Sequence, residues 1–251
     1  MRLFLPLLVA ASLTAQETAT PAPAAVDANA PLAVEPPAWN YEADLDLGGR
    51  SGEKNGTTLS AGVRAEFEEK DVSKTLASIR GNTATTEDEK SADDLLAKVS
   101  YEQTLAEATF WYTRADAGYD RVRDLDLMAL ATGGLGYRLQ QDDKGSFDVR
   151  AGLGYRVENL DNGDPDVSSA ALDLGLAYER ELAWGKLRIG VDAVPSLEDL
   201  SDVTIRHESS FEFLLKDTPM GLRIGLLQDY RSESDQKLQN TYFLRLVYRW
   251  R

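Results

Sequence analysis

The chain has 251 residues, no cysteine, one histidine and a formal net charge of -15. Without cysteine, disulfides and thiolate metal sites are excluded, and a lone His207 leaves little for a histidine-based metal or acid–base cluster. The acidic balance argues against binding a nucleic-acid backbone, which requires a basic patch. We therefore expect no nucleic-acid partner, no cofactor and no metal centre.

The first fifteen residues have the composition of a secretory signal peptide. Arg2 supplies the charged start, residues 3–11 form an apolar core, and small residues precede cleavage after Ala15, with cleavage after Ala11 as the alternative. The apolar core has about half of the ~20 residues that a membrane-spanning helix needs. Residues 16–38 are rich in proline and alanine, which predicts a disordered linker without a folded core.

Residues 39–251 alternate between apolar and polar side chains, the period-two pattern of β-strands. The last stretch, Tyr242 to Trp250, places aromatic and leucine side chains on one face and Arg245 and Arg249 on the other. About twelve such segments are separated alternately by tight turns and longer polar loops. About ten residues, rising ~3.3 Å each and tilted by ~45°, span about 24 Å. The pattern predicts an all-β fold, a transmembrane antiparallel up-and-down β-barrel of about twelve strands.

Several local features of this barrel are also predicted. The polar stretches 49–56 and 81–90 predict loops, which leave a short strand at 73–80. Leu125 shares the parity of Leu127 and is expected to face outward with it. Aromatic residues cluster at strand ends on the side of the chain termini, which predicts an aromatic belt at that membrane interface.

The polar parity of the strands carries glycines and mixed charges. Glycines on this face let strands bend and leave room inside a barrel. Charges inside a barrel must form paired networks with some water, because an unpaired charge in a low dielectric is costly. Three consecutive aromatic residues, 110–112, leave the facing of one strand open. The residues predicted to line the lumen are Arg64, Glu66, Arg150, Asp173, Arg188, Arg206, Glu208, Arg223 and Arg245.

A repeated short sequence carries a family resemblance. Residues 133–138 read Gly-Gly-Leu-Gly-Tyr-Arg, and residues 151–156 read Ala-Gly-Leu-Gly-Tyr-Arg. With the Leu-Asp-Leu at 125–127 and a Ser-Gly turn at Ser51, they resemble the YdiY-like family of salt-induced outer-membrane proteins, a domain of unknown function. The resemblance covers residues 39–251. It implies an outer-membrane barrel without an established activity, linked to salt or osmotic stress.

Three functional hypotheses are compatible with the sequence. The first is a non-enzymatic barrel in the outer membrane of a Gram-negative-type bacterium, either a narrow passive pore or an envelope-stabilising protein. The second is a lipid-acting enzyme, because His207 and Ser209 share the lipid-facing side and resemble the His-x-Ser arrangement of outer-membrane phospholipases. No group that orients the histidine and no oxyanion hole is recognisable in the sequence. The third is a soluble periplasmic β-sandwich with a binding role.

Partners follow from the same pattern. Outer-membrane lipids would cover the apolar face, and the barrel-insertion machinery would recognise the C-terminal strand, although Arg251 follows the terminal aromatic Trp250. Acidic loops on the outer side predict weak attraction of divalent cations. The residues concerned are Glu87, Asp88, Glu89, Asp93, Asp94, Glu158, Asp161, Asp164, Asp166, Glu198, Asp199 and Asp202.

Overall fold

The computed structural model describes twelve strands and one short 3-10 helix, Arg121–Arg123. The described residues are 39–51, 56–69, 71–86, 89–160, 166–234 and 237–251. The predicted signal peptide, 1–15, and linker, 16–38, lie outside them. The strands are β1 (Trp39–Ser51), β2 (Gly56–Glu69), β3 (Ser73–Thr86), β4 (Glu89–Ala106), β5 (Thr109–Asp120), β6 (Leu125–Asp142), β7 (Gly145–Leu160), β8 (Val167–Leu182), β9 (Gly185–Pro195), β10 (Val203–Leu214), β11 (Met220–Arg231) and β12 (Leu238–Trp250).

The sheet closes on itself. Every strand pairs antiparallel with its neighbours in the chain, and β1 pairs with β12 so that Leu45 lies opposite Leu246. Closure leaves no sheet edge, so the ladder satisfies the backbone polar groups of every strand. The predicted twelve-stranded up-and-down barrel is confirmed. The soluble sandwich is wrong, because the strands form one closed sheet instead of two stacked ones.

The barrel has a near end, which holds Trp39 and Trp250, and a far end opposite to it. Three near-end connections, 107–108, 143–144 and 183–184, have two residues each. Within the described ranges, no helix is long and apolar enough to cross a membrane.

Two predicted far-end loops are wrong in part, because strands occupy half of 49–56 and eight of the ten residues of 81–90. β1 continues to Ser51 and β2 begins at Gly56, while β3 continues to Thr86 and β4 begins at Glu89. The strand expected at 73–80 therefore has 14 residues. Backbone hydrogen bonds of the ladder continue these hairpins beyond their apolar residues. The prediction relied on side-chain polarity, which does not reveal backbone pairing, so it assigned the polar ends of the strands to loops.

The outward face of the barrel is apolar. Leu125 departs from the prediction, because the ladder register shifts between Leu125 and Leu127. This irregularity buries Leu125 inside the barrel and leaves Leu127 exposed outside. Large exposed apolar side chains on the strands include Leu45, Val63, Ile79, Val99, Leu135, Leu153, Leu174, Ile224, Leu244 and Leu246.

Aromatic side chains meet around the near end. Ring centroids of Tyr41 and Trp250 lie 5.6 Å apart across the β1–β12 seam. On β5, Phe110 and Tyr112 are buried in the interior, which resolves the facing that the sequence left open. Other near-end pairs include Trp39–Phe67, Tyr101–Trp111, Phe147–Tyr178 and Trp184–Phe211.

Candidate functional site

The interior of the barrel is the candidate site, because the alternation of the strands directs charged side chains into it. Buried charges there must be paired to offset the cost of leaving water. The pairing is extensive and falls into four networks. Buried charged residues include Glu42, Asp44, Asp46, Asp116, Arg156, Asp173, Glu212, Arg223, Asp229, Arg231 and Arg245.

The near-end network centres on Glu212 of β10, which is almost fully buried. Arg223 donates to Glu212 at 2.7 Å and to Glu42 at 3.0 Å. Arg188 donates to Glu212 at 3.0 Å, and Arg249 contacts both Glu212 and Glu42, the latter at 3.1 Å. Two predicted lumen residues, Arg188 and Arg223, thus share one carboxylate, and the network joins β9, β10, β11, β12 and β1.

A second network spans the closing seam. Arg80 on β3 contacts Asp44 at 2.7 Å and Asp46 at 3.1 Å, both on β1. Arg245 on β12 donates to Asp46 at 2.8 Å and to Glu208 on β10 at 3.3 Å. The predicted residues Arg245 and Glu208 thus form an ion pair between β12 and β10. Arg245 also pairs with Asp46 on β1, on the other side of β12.

A third network surrounds Asp173 on β8, which is fully buried. Tyr112 and Thr132 donate to its carboxylate at 2.8 Å and 2.9 Å. Arg114 lies 3.4 Å from it and Arg150 3.6 Å. Two hydroxyl donors and two guanidinium groups satisfy this buried charge, so the predicted residues Arg150 and Asp173 form one unit.

The fourth network crosses the far half of the barrel. Asp229 on β11 accepts from Arg123 at 2.7 Å and from Arg206 on β10 at 2.9 Å. Arg231 lies 3.4 Å from Asp229 and also contacts Glu158 on β7 at 3.2 Å. Because β5 and β11 are half-way round the sheet from each other, Arg123, which directly follows β5, bridges the lumen.

The 3-10 helix sets the position of this bridge. The side chain of Asp120 caps it by accepting from the backbone nitrogen of Val122 at 3.2 Å. The backbone of Asp124 then turns into the left-handed region, with φ of 52°, and ends the helix. The prediction of lumen residues missed Arg123, because Arg123 lies in the connection between β5 and β6, where the alternation of side chains gives no facing.

Between the networks, the described residues line two cavities. The larger has a volume of about 270 Å³ and is lined by five predicted residues: Arg64, Arg206, Glu208, Arg223 and Arg245. The smaller, of about 50 Å³, lies toward β5–β9 and shares Lys98, Arg206, Asp229 and Arg231 with the first. At about 30 Å³ per molecule, the larger cavity has room for roughly nine waters.

The predicted lumen residues thus separate into several groups. Arg64 and Glu66 form a pair at 2.6 Å toward the near end, with Lys74 also 3.0 Å from Glu66. Network residues that the prediction missed include Arg80, Asp46, Tyr112, Arg123 and Asp229. The alternation of β1 and β11 could have revealed Asp46 and Asp229, whereas no sequence signal indicates which opposite strand an arginine reaches.

Interior glycines make space for aromatic rings. A Cβ at Gly136 on β6 would lie 2.1 Å from the ring of Phe110 on β5, and one at Gly225 would lie 2.4 Å from Phe243. Gly136 belongs to the first copy of the repeated Gly-Leu-Gly-Tyr-Arg sequence. The glycines of that repeat therefore permit the close packing of the interior wall.

On the outward face, His207 has a partner that the sequence did not reveal. Gln228 Oε1 lies 2.9 Å from His207 Nδ1, and Gln228 Nε2 donates to Asn240 at 2.8 Å. The register of β10, β11 and β12 makes this row, because His207 lies opposite Gln228 and Gln228 opposite Asn240. Within the described part of the chain, no hydrogen bond joins Ser209 to His207.

The acidic residues of the far end lie partly outside the described residues, including Glu87, Asp161 and Asp164. In the connection between β9 and β10, hydrogen bonds from the Ser201 hydroxyl and backbone amide hold the pKa of the Asp199 carboxyl below its usual value. Among the residues that are described, no group of three or more histidine or carboxylate side chains is arranged to hold a metal ion.

Fold and interior together define a class of protein, a closed twelve-stranded β-barrel with an apolar outer face and a narrow, charge-paired lumen. The chain belongs to the family described as "Protein of unknown function, DUF481", whose sequence profile matches residues 43–250. This family is the YdiY-like family, so the resemblance seen in the sequence is confirmed. No curated protein matches the chain.

Solved structures of other proteins share the fold. The NanC porin superposes with a TM-score of 0.57 at 11% identity, covering 82% of this chain and 98% of that one. The translocator domain of the autotransporter NalP from Neisseria meningitidis gives 0.52 at 10% identity, covering 87% and 91%. An outer membrane channel from Pseudomonas putida F1 gives 0.50 at 11% identity, covering 90% and 100%. At these identities the likeness shows the fold alone.

Proposed function

We propose that the protein is a non-enzymatic barrel of the outer membrane of a Gram-negative-type bacterium and acts there as a narrow passive pore. Its location is supported by the outward leucines and valines, which a water-soluble protein would bury. The near-end aromatic pairs, such as Tyr41 with Trp250, support it as well, because aromatic belts mark membrane interfaces. Outer-membrane lipids are then the partners of the apolar face.

The pore itself rests on one observation, the cavity of about 270 Å³ inside the closed sheet. Its lining of paired charges provides polar contacts for water and small ions. The Arg123–Asp229 ion pair joins opposite sides of the lumen at 2.7 Å and so narrows it. A small hydrated ion is therefore the class of solute that suits this lumen.

Single-channel recording in planar bilayers tests the proposal. The purified full-length protein is expected to give small, uniform conductance steps, with a heat-modifiable gel shift as the check that the barrel is folded. A folded protein that leaves the bilayer silent would remove the pore and favour an envelope-stabilising role for the same barrel.

Export, insertion and regulation complete the proposal. Residues 1–15 would direct export, β12 would be recognised by the barrel-insertion machinery, and acidic far-end loops would attract divalent cations. The family resemblance links expression to salt or osmotic stress. Removing Trp250 and Arg251 is expected to lower the amount of protein in the outer-membrane fraction, and an unchanged amount would argue against recognition through this end.

Lipid hydrolysis is the second candidate function, favoured by the contact of Gln228 with His207 Nδ1 at 2.9 Å. Such a contact fixes the ring and leaves Nε2 available as a base. Incubation of the protein with phospholipid vesicles measures release of fatty acid. Absence of release, or release that His207→Ala leaves unchanged, would end this candidate.

A further inference from the structure

The charges lining the two cavities are paired, with one exception. Each arginine that lines either cavity contacts a carboxylate, as Arg80 contacts Asp44 and Arg123 contacts Asp229. Lys98 on β4 lines both cavities. Among the described cations that line them, it is the one without a carboxylate oxygen within 4.0 Å.

Two carboxylates that line the smaller cavity with Lys98, those of Asp116 and Asp192, contact arginines. In the ladder, Lys98 lies between Ser78 on β3 and Asp116 on β5. Asp116 contacts Arg114 at 3.2 Å. Asp192, which lines the smaller cavity, contacts Arg114 at 3.5 Å and also Arg150. Both carboxylates therefore contact guanidinium groups, whereas the ammonium of Lys98, which lines the two cavities, has no carboxylate oxygen within 4.0 Å.

An unpaired charge dominates the potential of a narrow lumen, because the field of an ion pair falls off faster with distance than that of a single charge. Lysine also presents a compact ammonium with three donors that can follow a passing anion. Building on the proposed pore, we infer that Lys98 makes the lumen selective for small inorganic anions such as chloride. The net charge of -15 by itself favours cations, so the two charge distributions predict opposite selectivity.

The reversal potential of the reconstituted full-length protein measures this selectivity. A gradient between about 1 M and about 0.1 M KCl is imposed across a phosphatidylcholine bilayer, where screening lengths are ~3 Å and ~10 Å. The wild-type channel is expected to pass chloride faster than potassium. Lys98→Gln is expected to lower the chloride-to-potassium permeability ratio by roughly 25-fold, because one unit charge at about 4 Å in water favours the anion about fivefold and disfavours the cation about fivefold. Lys98→Glu should reverse the preference, and Lys98→Arg should keep it.

Lys216→Gln is the matched control, since it removes the same charge from an exposed near-end turn and should leave the ratio unchanged. A heat-modifiable gel shift confirms that each variant is folded. A wild-type channel that prefers potassium, or a Lys98→Glu channel with the wild-type ratio, would overturn the inference while leaving the pore in place. A silent bilayer overturns the pore itself, and the inference falls with it.

Discussion

At the scale of single residues, aromatic rings in the interior of the barrel lie over glycines. Phe110 lies over Gly136 and Phe243 over Gly225, each across one strand pair. Protein interiors are close-packed, so one added methyl group at such a contact must displace a ring or a strand. These contacts narrow the lumen without adding charge to it.

Gly136→Ala is therefore expected to lower the free energy of unfolding by about 1–3 kcal/mol, the usual cost of overpacking. Urea unfolding of the lipid-reconstituted barrel, followed by tryptophan fluorescence, measures the change. Gly190→Ala is the matched control, because a Cβ there meets nothing within 4 Å. Similar losses in both variants would contradict the packing account, and adding Phe110→Leu should restore stability to Gly136→Ala.

At the scale of elements, closure depends on one strand pair. β1 and β12 are the first and last strands in the chain, and Leu45 lies opposite Leu246 in their ladder. Directly opposed residues have Cα atoms about 4.5–5.5 Å apart, within the range that a disulfide bridges.

The native chain has no cysteine, which gives a clean background for a cross-linking test. The double variant Leu45→Cys with Leu246→Cys is expected to oxidise to an intramolecular disulfide, seen as a shift on a non-reducing denaturing gel. Tyr242 lies opposite Gly49, so Leu45→Cys with Tyr242→Cys should stay reduced. Equal cross-linking of both pairs would mean that the seam has another register.

The alternation of side chains predicted the twelve strands and the closed fold, because every strand has one face toward the outside of the barrel and one toward the lumen. It did not predict where strands end, since backbone pairing at Ser51 and Thr86 continues past the apolar positions. It also misplaced Leu125, because an irregularity shifts parity without a composition signal. The inward facing of the charges on β10, β11 and β12 was predictable from side-chain alternation. Arg123, which crosses the lumen, lies in the connection between β5 and β6, where alternation predicts no facing.

At the scale of the whole molecule, the lumen is held narrow by bridges between distant strands. Arg123 reaches Asp229 at 2.7 Å, and its side chain is almost fully buried. Arg121 belongs to the same 3-10 helix, but its side chain is 63% exposed and contacts Asp93 at 3.5 Å. The two arginines thus differ in whether they obstruct the lumen.

Arg123→Ala is expected to raise single-channel conductance roughly twofold, because the vacated side chain leaves room for about three more waters at ~30 Å³ each. Arg121→Ala should leave the conductance unchanged. Conductance steps of equal size in both variants and in the wild type would show that the bridge does not limit the flow of ions.

The ion pairs across the lumen and across the closing seam also bear on how long the folded barrel persists. Arg123 and Asp229 are 106 residues apart in the chain, and Arg245 and Asp46 are 199 apart. Such contacts form only after the sheet has curled and its ends have met. Interactions that form after the rate-limiting step slow unfolding and leave the folding rate nearly unchanged. Ion pairs of this kind are therefore expected to lengthen the lifetime of the folded barrel by slowing its unfolding.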